Sequence, residues 1–445
     1  MTAARTDLLL RRLVRRDANA ALTKVLARCR PEDVAVAMAL MTLAEQRRLH
    51  AMMVDRDYAA AVLANLSESA ARELTADLST DVVRDLVDRM EPDDATDFLG
   101  SLSTTFRDEL LEEMEDDPTA EDVRGLLTYA PDTAGGLMSP SVFEMPHTAT
   151  AAEAVAALQS RHTEIETIYY LYVVDAQRRL LGVTSLRSLL TVPPTALLFD
   201  IMARQVVTVS PRTDQEEVAR LVARYDLFAI PVVDEQRHVL GLVTVDDVVD
   251  VIREEAHEDM MLMVGVSDDA PDEGGVLRHV RTRGPWLAAT LLSGVLAAEL
   301  IDGYTTGIQR AALVLGFVPM VMGIGGNVGI QSATLAVRSL ATGRLVLEGG
   351  LGFLWREVRV ALLLGMVFAL VLGSWGSLRF AEIGLAVGLS VCITVTLAGL
   401  VGASIPLLFS KAGVDPAVAT GPFVTASLDL VGIVVYFNVT QMLLA

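Results

Sequence analysis

Polar side chains inside long apolar segments are the residues of this sequence best suited to chemistry. Asp429 lies within "GPFVTASLDLVGIVVYFNV", and Asn327 and Gln331 lie within "FVPMVMGIGGNVGIQSATLAVRSL". A carboxylate in a membrane-spanning segment is costly unless it faces a bundle interior or a cavity, so by default it marks an ion or proton path. Carboxylate and amide oxygens are hard ligands that suit a hydrated divalent cation. We therefore predict that these three side chains line a cation path.

Glycines and a proline interrupt the segment that carries the two amides. Pro319 removes one helical hydrogen bond and predicts a kink. Gly323, Gly325, Gly326 and Gly329 leave the backbone accessible and also allow neighbouring helices to come close. Glycine alone favours helix packing, whereas glycine together with proline and two amides favours backbone oxygens along the path. We predict that Gly325 and Gly326 contribute such oxygens.

The composition narrows the choice of ion and argues against an enzyme. The two cysteines and six histidines form no metal-ligand spacing, which disfavours a zinc or copper transporter. Mg²⁺ keeps several of its waters and binds few protein oxygens, so the path suits Mg²⁺, while Mn²⁺, Co²⁺ and Ca²⁺ stay open. The sequence contains no nucleophile paired with a base, and "GIGGNVG" does not follow a strand pattern as a nucleotide-binding loop would.

Five apolar segments are long enough to cross a bilayer. They cover residues 285–303, 311–336, 357–378, 383–409 and 417–442. With the N-terminal half inside, the inner flanks carry eight Arg or Lys residues, and the outer flanks carry Arg310 and Arg379. The positive-inside rule then predicts a multi-pass protein of the cell (inner) membrane, with a cytoplasmic N-terminal half and an outward C-terminus. The first twenty residues lack the apolar core of a secretory signal.

Hydroxyl groups in the fourth apolar segment have two interpretations. Thr394, Thr396 and Ser404 either line the same path or bond back to the carbonyls of their own helix.

The negative charge of the chain is concentrated in its N-terminal half. The net charge is −21, yet the residues from Gly275 onward carry ten basic and seven acidic side chains, which leaves 26 basic and 50 acidic residues before them. Such a surface argues against nucleic acid as a partner, because phosphates attract the opposite sign. It is compatible with cation binding, and equally with a merely solvated acidic surface.

The N-terminal half divides into several predicted elements. Residues 1–130 show apolar residues at helical spacing in successive short units, which indicates a small helical superhelix. "APDTAGGLMSP", residues 130–140, predicts a linker. Residues 245–266 predict one long helix with an acidic face, connecting the two halves.

An internal repeat lies between these elements. "YVVDAQRRLLGVTSL" in the first copy matches "PVVDEQRHVLGLVTV" in the second, and each copy predicts strand, helix, strand, turn, strand and helix. The pair resembles tandem cystathionine-β-synthase (CBS) domains, which often bind adenine nucleotides. Members of this class contact ATP partly through an Asp after the third strand, where the first copy has Ser188 and the second has Asp247. Tyr170, Arg187 and Phe228 complete the candidate nucleotide site.

All these features together resemble the MgtE family of magnesium channels over nearly the whole chain. The most specific segments are "PMVMGIGGNVGIQSATLAVRSLATG" and "SLDLVGIVVYF". The resemblance implies a multi-domain membrane protein with an α-helical N-terminal superhelix, tandem α/β CBS domains, an acidic connecting (plug) helix and a five-helix all-α transmembrane domain. The expected bounds are 1–130, 138–199, 200–256, 245–275 and 276–445.

The resemblance also implies a homodimer in the lipid bilayer, with its pore on the two-fold axis and Asp429 binding hydrated Mg²⁺. High cytoplasmic Mg²⁺ would close the pore by bridging acids of the N-terminal domain, the CBS pair and the plug helix. The matching acids are Asp93, Asp97, Asp214, Glu216, Asp226, Asp247, Asp250, Glu255, Glu258 and Asp259. Mg²⁺ is thus the implied ligand, and ATP at the CBS domains stays open. Family members also carry an acid near the end of the first span, where Glu299 and Asp302 are both candidates.

Two other functions stay open at this stage. One is a membrane-anchored CBS nucleotide sensor, although an anchor alone would not need Asp429 or the glycine run. The other is a transporter of a different divalent cation, such as Co²⁺ or Mn²⁺. An organic-anion carrier is disfavoured, since carriers typically have inverted repeats with paired broken helices.

Overall fold

The computed structural model describes residues 3–16, 18–114, 118–160, 169–264, 276–305, 311–342, 345, 349–380, 383–418 and 421–444. The chain forms two compact units, Met1–Ile252 and Arg253–Ala445.

Ten short helices open the first unit within its described part. They are α1 (Ala3–Arg15), α2 (Asn19–Leu26), α3 (Pro31–Ala39), α4 (Leu43–Ala51), α5 (Arg56–Ala64), α6 (Glu68–Thr75), α7 (Thr80–Val87), α8 (Pro92–Ser101), α9 (Thr104–Glu113) and α10 (Pro118–Leu126). Local signals set their starts: Thr42 and Glu45 form a reciprocal capping box, and Pro31 and Pro92 occupy first turns, where a missing N–H is harmless.

The ten helices stack as a superhelix, as predicted. Helices two apart in sequence pack on one another, from α1 on α3 through α6 on α8 and α8 on α10. One apolar cluster extends through them from Leu10 to Val123. Because each helix is too short to be stable alone, this shared core holds the array together.

The segment predicted as a linker is packed. Helix α11 (Ala134–Leu137) begins at Thr133, whose hydroxyl caps the Gly136 N–H. A Cβ at Gly135 would lie within 3 Å of Tyr129 and Pro211, so only glycine fits there. Ala134 and Met138 join the apolar core of the second CBS copy. The glycines therefore serve close packing, and the prediction of a linker was wrong in this respect.

The two repeat copies share one local design. The elements are β1 (Glu144–Pro146), α12 (Ala151–Ser160), β2 (Tyr170–Val174), β3 (Leu180–Ser185), α13 (Leu186–Thr191), α14 (Leu198–Ile201), α15 (Gln215–Tyr225), β4 (Ala229–Val233) and β5 (Val239–Thr244). β1 pairs parallel with β2, β2 pairs antiparallel with β3, and β4 pairs antiparallel with β5. Both antiparallel pairs shift register one residue before their turn.

The turns of the two copies match in detail. Asp175 and Asp234 each accept a backbone N–H two residues on, at 2.9 Å. Arg178 and Arg237, at equivalent positions, have φ values of 60° and 70°. The copies also interlock, because Tyr172 and Leu180 of one share an apolar cluster with Val233 and Leu242 of the other. The matching sequence therefore encodes matching backbone geometry.

The connecting helix α16 (Val245–Met263) follows β5 directly. The predicted helix continued to residue 266, and the segment 265–275 lies outside the described residues.

Within its described residues, the second unit contains five helices long and apolar enough to cross a membrane. Helix α17 is Val276–Thr305, a short α18 (Ala311–Leu315) precedes α19 (Val318–Ala341), and α20 (Gly350–Arg379), α21 (Gly384–Lys411) and α22 (Pro422–Leu444) follow. Helix α21 is central, since it packs on α19, α20 and α22, whereas α17 packs mainly on α22. Arg310 and Arg344, two of the flanking charges used for the topology, lie outside the described residues.

Candidate functional site

The second apolar segment is broken one turn earlier than predicted. Helix α18 ends at Leu315, and the new helix α19 has Pro319 in its first turn. The Phe317 carbonyl accepts from the N–H groups of Met320 at 3.0 Å and Val321 at 3.1 Å. A proline in a first turn lacks only an N–H that would have no intrahelical partner. The kink predicted at Pro319 was therefore wrong, and the interruption precedes it.

The glycines of α19 fall into two groups. A Cβ at Gly325 would meet the Thr394 methyl at 3.1 Å, and one at Gly329 would meet the Ala398 carbonyl at 3.2 Å. Gly323 and Gly326, in contrast, face open space. Gly325 and Gly326 were both predicted for the path. A side chain at Gly325 would be crowded by the neighbouring helix, whereas the same position at Gly326 has no neighbour within 4 Å.

The same contact allows a prediction about stability. A Cβ at Gly402 of α21 would lie within 3 Å of the backbone of Gly329 on α19. We expect Gly402→Ala to destabilise the protein by about 1–3 kcal/mol, the usual cost of overpacking. The measurement is thermal unfolding in detergent followed by size-exclusion chromatography. Gly352→Ala is the matched control, because nothing lies within 4 Å of its Cβ position. Equal unfolding midpoints for the two variants would contradict the prediction.

The three polar side chains predicted for the path lie on two helices that contact each other. Asn327 and Gln331 are exposed on one face of α19 in the single chain. Asp429 is half-buried on α22, directly after Leu428, which packs against Gly329. No Lys or Arg pairs with Asp429 within the part of the chain that the structure describes. Among the described residues, then, no structural ion pair explains this carboxylate.

Hydroxyl groups of α21 mostly bond to their own helix. Thr396 donates to the Cys392 carbonyl at 2.7 Å, and Ser404 donates to the Leu400 carbonyl at 2.6 Å. The buried Thr394 hydroxyl differs, because its oxygen has no hydrogen-bond partner among the described residues. Of the three, only Thr394 keeps an unused polar atom.

Glu357 is a buried carboxylate that sequence reasoning missed. Its side chain on α20 is 5% exposed and accepts a hydrogen bond from Ser332 of α19 at 3.1 Å. The sequence places it between Arg356 and Arg359, so it resembled a charged flank at the start of the third span. Helix α20 begins at Gly350, however, and this puts Glu357 two turns inside it.

Carboxylates of α8 and of the start of α16 lie near one another in the first unit. Desolvation by the surrounding protein, and then the charges of Asp94 and Asp93, raise the pKa of Asp97 to about 7, although its side chain is exposed at the surface. Burial also raises the pKa of Asp247 to about 7 against a hydrogen bond from Thr244, and the charge of Asp93 adds to the rise. When these carboxylates are ionised, they repel one another, and a divalent cation bound between them would relieve the repulsion.

Three other predicted acids lie around α15. Asp214 caps the start of this helix by accepting the Glu216 N–H at 2.9 Å. Asp226 ends it in the left-handed conformation, with φ at 51°. Eleven helical residues separate the two aspartates, so they lie roughly 17 Å apart along the axis and cannot hold one ion together. Glu216, next to Asp214, is exposed.

The acids predicted on α16 differ in their surroundings. Asp250 and Glu258 are exposed, and Glu255 is half-buried. Burial, and then the charges of Asp415 and Glu255, raise the pKa of Asp259 to about 6. Asp415 follows α21 and was missed from sequence, because its loop "KAGVDPAV" offered only a basic flank for topology.

The described residues contain no group of three or more His, Cys, Asp or Glu side chains that could hold a metal ion. Within that part of the chain, the predicted metal acids therefore form no closed coordination site.

The candidate nucleotide site is partly assembled. The Tyr170 hydroxyl lies 3.5 Å from the Phe228 N–H, and Tyr169 stacks on Phe228 with ring centroids 5.1 Å apart. The polar groups of Ser188 already have a hydrogen-bond partner nearby. The Ser185 hydroxyl accepts the Ser188 N–H, and the two hydroxyls lie 2.9 Å apart. Arg187 is exposed beside it. The aromatic pair offers a surface on which a nucleotide base can stack. Ser188, however, stands at the position where an Asp was expected to contact the nucleotide, so the first copy lacks that carboxylate.

Three family models match the chain. They are a divalent cation transporter model, MgtE, at residues 318–439, the MgtE intracellular N domain at 29–132, and a CBS domain at 198–254. The magnesium transporter MgtE of Thermus thermophilus is 39% identical over 75% of each chain. That of Enterococcus faecalis is 37% identical over 73% of this chain and 72% of its own.

One solved structure is similar to slightly more than half of the chain. The cytosolic domain of a Mg²⁺ channel MgtE, in complex with ATP, is 35% identical with a TM-score of 0.51 and covers 55% of this chain and 99% of its own.

Proposed function

The chain belongs to the MgtE family of magnesium transporters, and we propose that it is a Mg²⁺ channel for uptake across the cell membrane. The observation that carries this proposal is Asp429, a carboxylate among apolar helices with no Lys or Arg pairing with it in the described residues. Its removal from water is costly unless it meets a cation or a water-filled path. The relatives named as magnesium transporters support Mg²⁺ as that cation.

We propose that two copies of the chain form the pore. Asn327 and Gln331 are exposed in the single chain, on a helix long and apolar enough to cross a membrane. Amides exposed to acyl chains are unfavourable, so this face is better satisfied by a second copy or by water. Two copies would place Asn327, Gly326 and Asp429 twice around one axis. The topology would be a cytoplasmic N-terminal half and an outward C-terminus.

We further propose that cytoplasmic Mg²⁺ closes this pore. Asp93, Asp97 and Asp247 are close enough to repel one another, and so are Asp259 and Asp415 in the other unit. A cation that binds each set only when it is compact shifts the population towards the compact state. Adenine nucleotide at the Tyr170 and Phe228 surface stays a prediction, supported by the ATP complex of the related cytosolic domain.

The test of the proposed function is ion flux through purified protein in liposomes. Mg²⁺ entry should follow an imposed voltage, and external Co²⁺ or Ca²⁺ should inhibit only weakly. Equal flux with empty liposomes would exclude a channel and favour a membrane-anchored nucleotide sensor. Preferred Co²⁺ or Mn²⁺ flux would instead make the protein a transporter of that cation.

A further inference from the structure

A pocket in the N-terminal superhelix has no part in the proposed transport. It is lined by residues of α4, α6 and α7, by Arg56 at the start of α5 and by residues of the turns beside them, and has a volume of about 300 Å³. Arg47, His50, Arg56 and Asp77 form its polar wall, and Leu74 and Val82 belong to its apolar floor. A pocket that combines an apolar lining with a few polar groups is typical of sites for small organic ligands.

His50 is the most unusual residue of the wall. Its side chain is 7% exposed, and its Nε2 atom is buried with no hydrogen-bond partner among the described residues. A buried polar atom without a partner costs about 1–3 kcal/mol. Burial, and then the charge of Arg56, lower the pKa of His50, so at neutral pH it is an uncharged ring able to donate through one nitrogen. His50 lines the pocket, so an acceptor atom of a bound ligand would supply the missing partner.

The two arginines of the wall have donors left over. Arg47 donates to the Glu73 carbonyl and pairs with Asp77, while its buried Nε has no partner among the described residues. Among the described residues, Arg56 makes only a loose ion pair with Asp85, at 3.6 Å. The lining contains two arginines and one acid, Asp77, while Asp85, the partner of Arg56, lies outside the lining. Positive charge and unused donors in one pocket favour an anion.

We propose that this pocket binds a small organic phosphate, with its phosphate group against His50, Arg47 and Arg56 and its organic part on the apolar floor. A phosphate monoester presents three terminal oxygens, which match three donors from three side chains. A carboxylate has only two. The site lies apart from the nucleotide surface of the CBS copies and goes beyond the transport function.

The test is calorimetric binding of phenyl phosphate to the full chain in phosphatidylcholine nanodiscs, whose lipid contains no phosphate monoester. We expect saturable one-to-one binding per chain. His50→Phe, which keeps a ring of similar size, should weaken binding about tenfold, as for loss of a hydrogen bond to a charged group. Arg56→Gln should weaken binding at least as much, and it tests the site independently if His50→Phe fails to fold.

The matched control is Arg84→Gln. Arg84 is an exposed arginine of the same superhelix that pairs with Asp88 and does not line the pocket, so binding should not change. Absence of saturable binding, or equal affinity in wild type, Arg56→Gln and Arg84→Gln, would overturn the proposal. Channel flux does not enter this measurement, so its outcome is independent of the proposed function.

Discussion

Asp429→Asn is expected to lower voltage-driven Mg²⁺ uptake in liposomes roughly 100-fold, because an amide cannot replace the charge that attracts the ion. A contact to a charged group contributes about 3 kcal/mol, which corresponds to a factor of that size. Asparagine has the same shape as aspartate, so helix packing around Leu428 and Gly329 should not change. Asp429→Glu, which restores the charge on a longer side chain, should recover part of the uptake.

Ser427→Ala is the control on the same helix. Its hydroxyl already donates to the Phe423 carbonyl at 2.9 Å, so its removal should leave uptake unchanged. Chromatography in detergent would show whether each variant assembles like the wild type. Normal uptake by correctly assembled Asp429→Asn would refute the pore assignment and leave the carboxylate without a functional explanation.

The parts of the fold that were predictable are those whose signal is local or repeated. The two CBS copies could be recognised because the same turn sequence recurs, and the structure gives equivalent φ values at Arg178 and Arg237. Asp429 could be recognised because an acid in an apolar segment stands out against its neighbours. In both cases, the sequence near the residue already contains the physical reason for its role.

Other features depend on partners far along the chain. Gly135 and Gly325 looked like a linker glycine and a path glycine, and only the contacts with Tyr129, Pro211 and Thr394 show that a Cβ at either position would be crowded. Pro319 predicted a kink because its position in the first turn depends on where the helix begins. Such boundaries are the least certain part of a sequence prediction.

Carboxylates outside the obvious patterns were missed for the same reason. Glu357 resembled a charged flank until helix α20 was found to begin seven residues earlier than the predicted span. Asp415 becomes a candidate only because its charge raises the pKa of Asp259, which is distant in sequence. Composition identified an acidic N-terminal half correctly, but it could not say which acids face one another and which, such as Asp214, cap a helix.

The gating acids have a pH dependence that follows from their raised pKa values. When α8 separates from α16, Asp97 and Asp247 should regain ordinary pKa values near 3.8, against about 7 in the compact state. The compact state then binds more protons, so without Mg²⁺ it is favoured at low pH and loses stability as the pH rises towards 7. Above that pH the carboxylates are ionised, and the compact state should depend most strongly on Mg²⁺.

We therefore expect the double variant Asp97→Asn/Asp247→Asn to lose its response to Mg²⁺ at pH 8. Amides of the same shape remove the repulsion, so the compact state should form without the ion and should gain nothing when it is added. Limited proteolysis of the full chain measures this. Wild type should be cleaved without Mg²⁺ and protected at millimolar Mg²⁺, whereas the variant should be equally resistant in both conditions, with low flux in liposomes.

Glu112→Gln/Glu113→Gln is the matched control, since it removes two exposed acids from the same superhelix. It should keep the Mg²⁺-dependent protection of the wild type. If the control loses the response as well, net charge rather than the repulsion between Asp97 and Asp247 sets the sensitivity. If the double variant is still cleaved without Mg²⁺ and protected with it, these two carboxylates do not hold the closing ion, and sensing must lie with other acids such as Asp259 and Asp415.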